Sequence, residues 1–157
     1  MLSTELAALY ARDLKRLIQE LTAFPDSASL WQIAPGVTNA AGTLALHLEG
    51  NLREYIGRQL GGIEYVRDRP LEFSKRGLEQ QDLIARIEAV RAAIPPVIEA
   101  LSEEQLAAIY PEQVLSAPIT TRQFLIHLNG HLNYHLGQID YLRRITTGNG
   151  AITLAGL

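Results

Sequence analysis

The chain has 157 residues, a formal net charge of −3 and no cysteine; 47% of its residues are hydrophobic and 20% are charged. This length and composition suit a single globular domain over residues 1–157, and the lack of cysteine excludes disulfides, thiolate metal ligands and a cysteine nucleophile, and fits a cytoplasmic location. No basic patch tracks a phosphate backbone and no apolar run approaches the roughly 18 to 20 residues that span a bilayer, so we expect neither a nucleic-acid nor a membrane partner.

Two helices separated by a long connection are predicted in the first part of the chain. The first helix runs from about residue 3 to residue 21, with Ser3 as its N-cap and an apolar face at helical spacing. The next stretch, FPDSASLWQIAPGVTN, contains two prolines, a glycine and small polar residues, and predicts a loop. The second helix begins near Asn39 and ends before the Gly61-Gly62 pair.

Two further long helices are predicted in the rest of the chain. The polar stretch IEYVRDRPLEFSKRG predicts a second crossing loop, and a third helix follows over about residues 79–101, with a kink or break at Pro95 and Pro96. The segment SEEQLAA predicts a short helix capped by Ser102, and the fourth long helix runs from residue 120 or 121 to about 145. No strand-like alternation competes, so the pattern predicts an all-α fold with four main helices. The tail TTGNGAITLAGL either packs on the body or reaches a partner subunit.

The fourth long helix carries the strongest chemical signal, in the run HLNGHLNYHLGQIDYLRR. His131 and His135 lie one turn apart, about 6 Å along the axis, so their imidazoles can bind one ion together. Steps of 100° per residue place both within about 20° of a line through Phe124 and Leu142, on the apolar face. Two buried imidazoles need partners for their nitrogens, and a shared metal ion provides one. His127, at the edge of this arc, is predicted to be a satisfied histidine rather than a ligand.

The second helix offers one more histidine. His47 lies at the rim of the apolar stripe, with Asn51, Glu54 and Arg58 close to the same line. These residues alone predict either a solvated polar stripe or, if His47 faces the fourth helix, a third ligand beside a polar opening. In the second case Asn51 supports a ligand or faces the substrate, and Glu54 is a candidate fourth ligand or proton acceptor.

Several familiar catalytic patterns are missing. The zinc-protease motif HExxH needs a glutamate where this chain has Leu132, and no glutamate stands three residues before a histidine of the fourth helix, as di-iron bundles require. Phosphate-binding and dinucleotide-binding glycine patterns and a nucleophile elbow are also absent from the sequence. The sequence therefore favours one mononuclear, histidine-rich and partly open metal site.

The segments HLNYHLGQIDYLRR, LALHLEGNL and SLWQIAPG together resemble the DinB-like superfamily, which includes bacterial thiol S-transferases and mycothiol-dependent isomerases. The most specific part is HxxxHxGQ, matched here by His131, His135, Gly137 and Gln138. The resemblance implies a four-helix bundle with up-down-down-up connections and a homodimer. It also implies a divalent metal ion, most often zinc or nickel, held by His47, His131 and His135.

Three functions remain open from the sequence. The first is a metal-dependent enzyme for a small-molecule substrate, in which the ion activates either water, for hydrolysis, or a low-molecular-weight thiol cosubstrate. The resemblance to thiol S-transferases and the absence of cysteine favour the thiol version, with Asn51 or Glu54 orienting the substrate. The second is a non-catalytic metal-binding bundle with a structural or stress-related role. The third is a helical interaction module whose histidines are satisfied core residues.

Overall fold

A computed structural model describes residues 1–156, and within that range it is helical and contains no strand. Its six α-helices are α1 (Leu2–Thr22), α2 (Ala41–Leu52), α3 (Arg69–Ser74), α4 (Gln80–Glu99), α5 (Glu103–Ala107) and α6 (Thr121–Thr147). A 3₁₀ turn over Ser29–Trp31 precedes α2, and a π-helical turn over Arg53–Arg58 continues it. The four long helices α1, α2, α4 and α6 form the bundle that the sequence predicts.

The bundle is a ring of four helices, in which α1 and α2 each pack against both α4 and α6. Helices α1 and α6 are parallel, because Tyr10 bonds Leu125 near their beginnings and Glu20 bonds Arg143 near their ends.

Contacts between other helices fix the remaining directions. Helix α4 runs parallel to α2, since Glu49 pairs with Arg86 and a Cβ on Gly57 would contact Ile94. Helix α2 is antiparallel to α6, because His47 meets His131 whereas Tyr55, further along α2, meets the earlier Phe124. The order up-down-down-up is therefore confirmed.

Apolar side chains from all four long helices fill the centre of the bundle. Leu14, Leu48, Ile87 and Leu132 are each fully buried, and burying such a side chain contributes about 1.5–3 kcal/mol. The buried hydroxyl of Tyr10 donates to the carbonyl of Leu125 at 2.6 Å, so its polar end costs little.

Charged groups also lie in the contact between α1 and α6. Arg143 and Glu20 are 1% exposed and form an ion pair, with Arg143 Nε 2.6 Å from Glu20 Oε2. Asp13 is fully buried and accepts hydrogen bonds from Arg12, Asn129 and Asn133. These partners compensate for the cost of burying the charges and fix the register of the two helices.

The tail after α6 lies along α1. Arg16 Nε donates to the carbonyl of Ala155 at 2.7 Å, and the Ala155 amide donates to Gln19 Oε1 at 2.8 Å. Arg143 Nη1 also donates to the carbonyl of Gly150 at 3.0 Å. Of the two alternatives for the tail, the structure shows packing on the body as far as residue 156, and Leu157 lies outside the described residues.

Three local expectations are wrong and two are confirmed. Ser3 is not an N-cap but lies buried inside the first turn of α1, because the helix already begins at Leu2. The second crossing loop contains α3, and α4 continues through Pro95 and Pro96 without a break. The predicted starts of α5 and α6 are confirmed by reciprocal capping hydrogen bonds, from Ser102 to Gln105 and from Thr120 to Gln123.

None of the described helices combines the length and apolar character needed to cross a membrane.

Candidate metal centre

Three histidines from two helices converge inside the bundle. His47 Nε2 on α2 lies 3.2 Å from His131 Nε2 on α6, and His135 Nε2 lies 3.1 Å from the same atom. The ligand atoms of all three lie within 4.8 Å of one another. His47 is buried and the other two are half-buried. The helical spacing of His131 and His135 places them on one face, and the antiparallel α2 brings His47 opposite that face.

The outer nitrogens of two of these rings have acceptors. His47 Nδ1 lies 3.0 Å from Glu72 Oε2, and His135 Nδ1 lies 2.6 Å from Gln138 Oε1. A carboxylate and an amide oxygen accept hydrogen bonds, so each Nδ1 carries the proton and each Nε2 presents a lone pair to the centre of the cluster. Ligating histidines in metalloproteins are commonly held in this way.

This arrangement fits a cation better than a hydrogen-bonded trio. His131 Nε2 can carry at most one proton for two facing lone pairs, and His131 Nδ1 is buried without a hydrogen-bond partner. An ion about 2.0–2.1 Å from each nitrogen in tetrahedral geometry would separate the ligand atoms by roughly 3.3–3.4 Å. The observed 3.1 and 3.2 Å are close to that spacing, so the residues present fit a divalent metal ion.

Burial favours the neutral form of two of these histidines, His131 and His135. Burial, together with the neighbouring His135 and His47, lowers the pKa of His131 to about 4. Burial also lowers the pKa of His135, although its hydrogen bond with Gln138 acts in the opposite direction. Neutral imidazole is the form that binds a metal, so little proton competition is expected at neutral pH.

Glu72 reaches His47 from the short helix α3, where sequence analysis predicts a loop. Its carboxylate also accepts from Arg67, with Arg67 Nε at 2.7 Å from Oε1 and Nη2 at 3.0 Å from Oε2. Burial opposes ionisation of this carboxyl, but the hydrogen bonds from His47 and Arg67 outweigh it and lower its pKa. On the same helix, the ring of Phe73 packs against His47 at 4.9 Å between centroids.

A local signal for α3 exists in the sequence. The Asp68 side chain caps the helix by accepting from the amide of Leu71, and Pro70 lies in the first turn. An aspartate followed closely by proline is a typical helix start. The contact between Glu72 and His47 has no comparable signal, because 25 residues separate the pair.

The structure also locates the remaining candidate residues. Asn51 is buried and its Oδ1 has no hydrogen-bond partner. The Glu54 carboxylate is bonded by Arg58 and Gln59, which lowers its pKa chiefly through Arg58, and it does not belong to the converging group. His127 is exposed and stacks against Phe124, outside that group as well.

A cleft of about 530 Å³ adjoins the cluster, with His135 and Gln138 in its wall. The loop before α2 contributes Val37 and Thr38, and α6 contributes Tyr134 and Tyr141. The Tyr134 ring meets the His135 ring edge-on, 5.3 Å between centroids. The three-histidine cluster therefore has an accessible side where a small molecule can approach.

A four-helix bundle in which α2 and α6 bring three histidines together defines a class of helical proteins with a candidate metal centre. The sequence profile of the DinB superfamily matches residues 9–139, most of the chain. The chain belongs to the DinB superfamily, as its sequence motifs suggest.

Solved structures agree on the fold. A DinB-like protein from Bacillus cereus has a TM-score of 0.71 and 19% sequence identity, covering 97% of this chain and 95% of that one. A conserved protein from Enterococcus faecalis has a TM-score of 0.72 and 22% identity, covering 94% of this chain and 96% of its own. At these identities the likeness concerns the fold alone. A comparison with curated proteins finds no match.

Proposed function

We propose that this protein binds one divalent metal ion through His47, His131 and His135, and uses it in an enzymatic reaction on a small-molecule substrate. The observation that carries the proposal is the convergence of three Nε2 atoms, two of them on rings whose Nδ1 is fixed by Glu72 or Gln138. Imidazole ligands suit zinc and nickel among the common divalent ions. The lack of cysteine supports a cytoplasmic place of action.

Each residue around the ion has a distinct task. The three histidines hold it, while Glu72 and Gln138 keep two of them in the required tautomer and orientation. When bound, a divalent ion polarises a substrate oxygen and lowers the pKa of a nucleophile. The cleft beside His135 admits the substrate, and Asn51 supports a ligand, which its buried and unpartnered Oδ1 makes possible. The proton-accepting role of Glu54 stays a prediction, because Arg58 engages its carboxylate.

Two reactions suit this arrangement, thiol S-transfer and hydrolysis. The chain has no thiol of its own, so S-transfer needs a low-molecular-weight thiol as cosubstrate. Hydrolysis needs only water as cosubstrate. Since no glutamate stands beside the histidines on α6 as a general base, the ion would have to activate that water itself. We favour S-transfer for two reasons. The superfamily to which the chain belongs includes thiol S-transferases, and the chain contains no cysteine.

A second candidate function is non-catalytic metal binding. The ligands come from α2 and α6, and an ion would join these two helices near their middles. Such an ion adds its binding free energy to folding, which suits a structural or stress-related role.

Elemental analysis tests the proposal directly. Protein purified without a histidine tag should contain about one metal ion per chain. His131→Ala should abolish binding, whereas His127→Ala, one turn away on the same helix, should leave it intact. No uptake by the wild-type chain, even after supplementation with zinc or nickel, would overturn both candidate functions.

Catalysis needs its own test. Thiol cosubstrates screened against electrophilic acceptors, and ester and amide substrates screened with water, should reveal turnover that a chelator removes and metal restores. Metal binding without any such turnover, together with a large loss of thermal stability on chelation, would favour the structural role.

A further inference from the structure

The cleft beside His135 is lined by uncharged side chains, unlike the clefts that contain Glu72 or Glu54. None of the aspartate, glutamate, lysine or arginine side chains within residues 1–156 lines it. In contrast, a cleft of about 430 Å³ near Tyr55 contains Glu54, Arg58, Arg67 and Glu112.

The walls of the uncharged cleft are mainly apolar and aromatic. Leu44 of α2, Val37 of the loop before α2 and Ile145 near the end of α6 all line it. Tyr134 and Tyr141 are 66% and 62% exposed, so their rings are free to contact a ligand.

Polar groups of the cleft are neutral and few. Thr38, Asn39 and Gln138 can form hydrogen bonds, and Gln138 already accepts from His135. Arg144 packs over the Tyr141 ring at 5.2 Å, but it pairs with Asp140 and does not line the cleft. A charged ligand group would lose hydration here without gaining a counter-charge, which is costly.

We infer that this cleft binds an uncharged, apolar portion of the substrate, aromatic or branched aliphatic, and thereby places the reacting group at the three histidines. The inference rests on the proposed function, because it assumes that the reaction takes place at the histidine cluster. A volume of about 530 Å³ is ample for a group the size of a substituted phenyl ring.

Hydroxamates bound to the metal-loaded protein test this inference without any activity assay. Acetohydroxamate and benzohydroxamate share one metal-binding group and differ in the apolar portion. Calorimetric titration should show benzohydroxamate binding at least tenfold more tightly. 4-Carboxybenzohydroxamate should lose most of that advantage because it brings a charge into the cleft.

Two variants of the cleft test whether the tighter binding of benzohydroxamate comes from contacts of its phenyl ring there. Tyr134→Ala and Val37→Asp should each weaken benzohydroxamate binding severalfold while leaving acetohydroxamate binding unchanged. Tyr65→Ala, in the charged cleft near Tyr55, is the matched control and should change neither affinity.

The outcomes separate the two proposals. Equal affinity for the two uncharged hydroxamates, or an advantage that survives both cleft variants, would overturn the inference while leaving the metal centre in place. Failure of all hydroxamates to bind a metal-loaded protein would also overturn it, because the cleft would then not lead to the ion. A chain that takes up no metal would overturn the proposed function itself.

Discussion

The carboxylate of Glu72 occupies the space that a side chain at residue 50 would need. A Cβ built on Gly50 would lie 2.6 Å from the Glu72 carboxyl carbon, well inside normal contact distance. Gly50 is therefore the residue of α2 that lets α3 deliver a carboxylate to His47, three residues earlier on the same helix.

Gly50→Ala should lower metal affinity about 10- to 100-fold, the usual effect of losing a partner of a ligating histidine. The clash falls on the far end of the flexible Glu72 side chain and not on backbone, so we expect the carboxylate to be displaced and the fold to persist. Competition with a chelating dye measures the affinity, and circular dichroism checks the fold.

Gly57→Ala provides the control for that substitution. Gly57 lies later on the same continuous helical segment as Gly50, and a Cβ there would make an ordinary contact of 3.5 Å with Ile94 of α4. It should leave metal affinity unchanged, and an unaltered affinity in Gly50→Ala as well would show that Glu72 does not support the ion.

Asn51→Ala should also weaken metal binding, by about tenfold. With Nε2 on the ion, His131 Nδ1 must donate a proton, yet this nitrogen and Asn51 Oδ1 are both buried without partners. Asn51 lies one turn beyond His47 on α2, and the antiparallel α6 places His131 on that side. Asn51→Asp, which keeps an acceptor, should retain affinity in the same dye assay.

Thr43→Val tests whether removing any unpartnered buried polar atom of α2 lowers metal affinity. The Thr43 hydroxyl is likewise buried without a partner, one turn before His47. Its replacement should leave metal affinity intact. Equal losses of metal affinity in Thr43→Val and Asn51→Ala would point to a general packing effect. They would contradict a role for Asn51 as the partner of His131 Nδ1.

Asp13→Asn should reduce the free energy of unfolding by about 2–4 kcal/mol at pH 7, because a buried charge network loses its anion. Burial raises the pKa of Asp13, but hydrogen bonds from Arg12, Asn133 and Asn129 outweigh this and leave the pKa below its ordinary value of 3.8. Its ionisation therefore stabilises the fold above that value, and the contribution is lost as pH falls through the lower folded-state pKa. Urea unfolding at several pH values measures this.

The difference between Asp13→Asn and wild type should consequently shrink as the pH falls below about 3.8. Glu64→Gln, a change at an exposed loop position, is the control and should have little effect at any pH. A difference that is the same at pH 3 and pH 7 would mean that the carboxylate charge is not what stabilises the contact.

Homodimerisation, which the family resemblance implies, gives a further prediction. Ile126 is 55% exposed on α6, on the same face as Gly130 and Gly137, where added Cβ atoms would meet no other atom within 4 Å. Such a flat strip allows close helix approach, so Ile126→Glu should convert a dimer to a monomer in sedimentation velocity. Val66→Glu, at a more exposed loop position, should leave the assembly unchanged; a monomeric wild-type chain would refute the prediction.

The bundle and its long helices follow from local sequence signals. Helix α6 combines a capping pair, Thr120 with Gln123, a long amphipathic pattern, and Gly148 in the left-handed conformation as its end. The placement of His131 and His135 on one face follows from the helical repeat alone. The position of His47 opposite them depends on how two helices pack. The sequence predicts that position mainly through the family resemblance.

The support for the histidines could not be predicted in the same way. Glu72 and Arg67 lie in a polar stretch whose helical pattern is only a few residues long, too short for periodicity to separate helix from loop. Gly50 looks like a helix-weakening residue until the approach of Glu72 is known. Pro95 and Pro96 predict a kink or a break, and the break does not occur because packing of α4 against α1 and α2 maintains the helix.

The two halves of the histidine cluster are far apart along the chain, since His47 and His131 are 84 positions apart. During synthesis, α2 leaves the ribosome long before α6 exists, so a nascent chain would carry only one of the three proposed ligands. Metal can enter when the last long helix has docked, and an ion held in this place would mark a chain whose folding is complete.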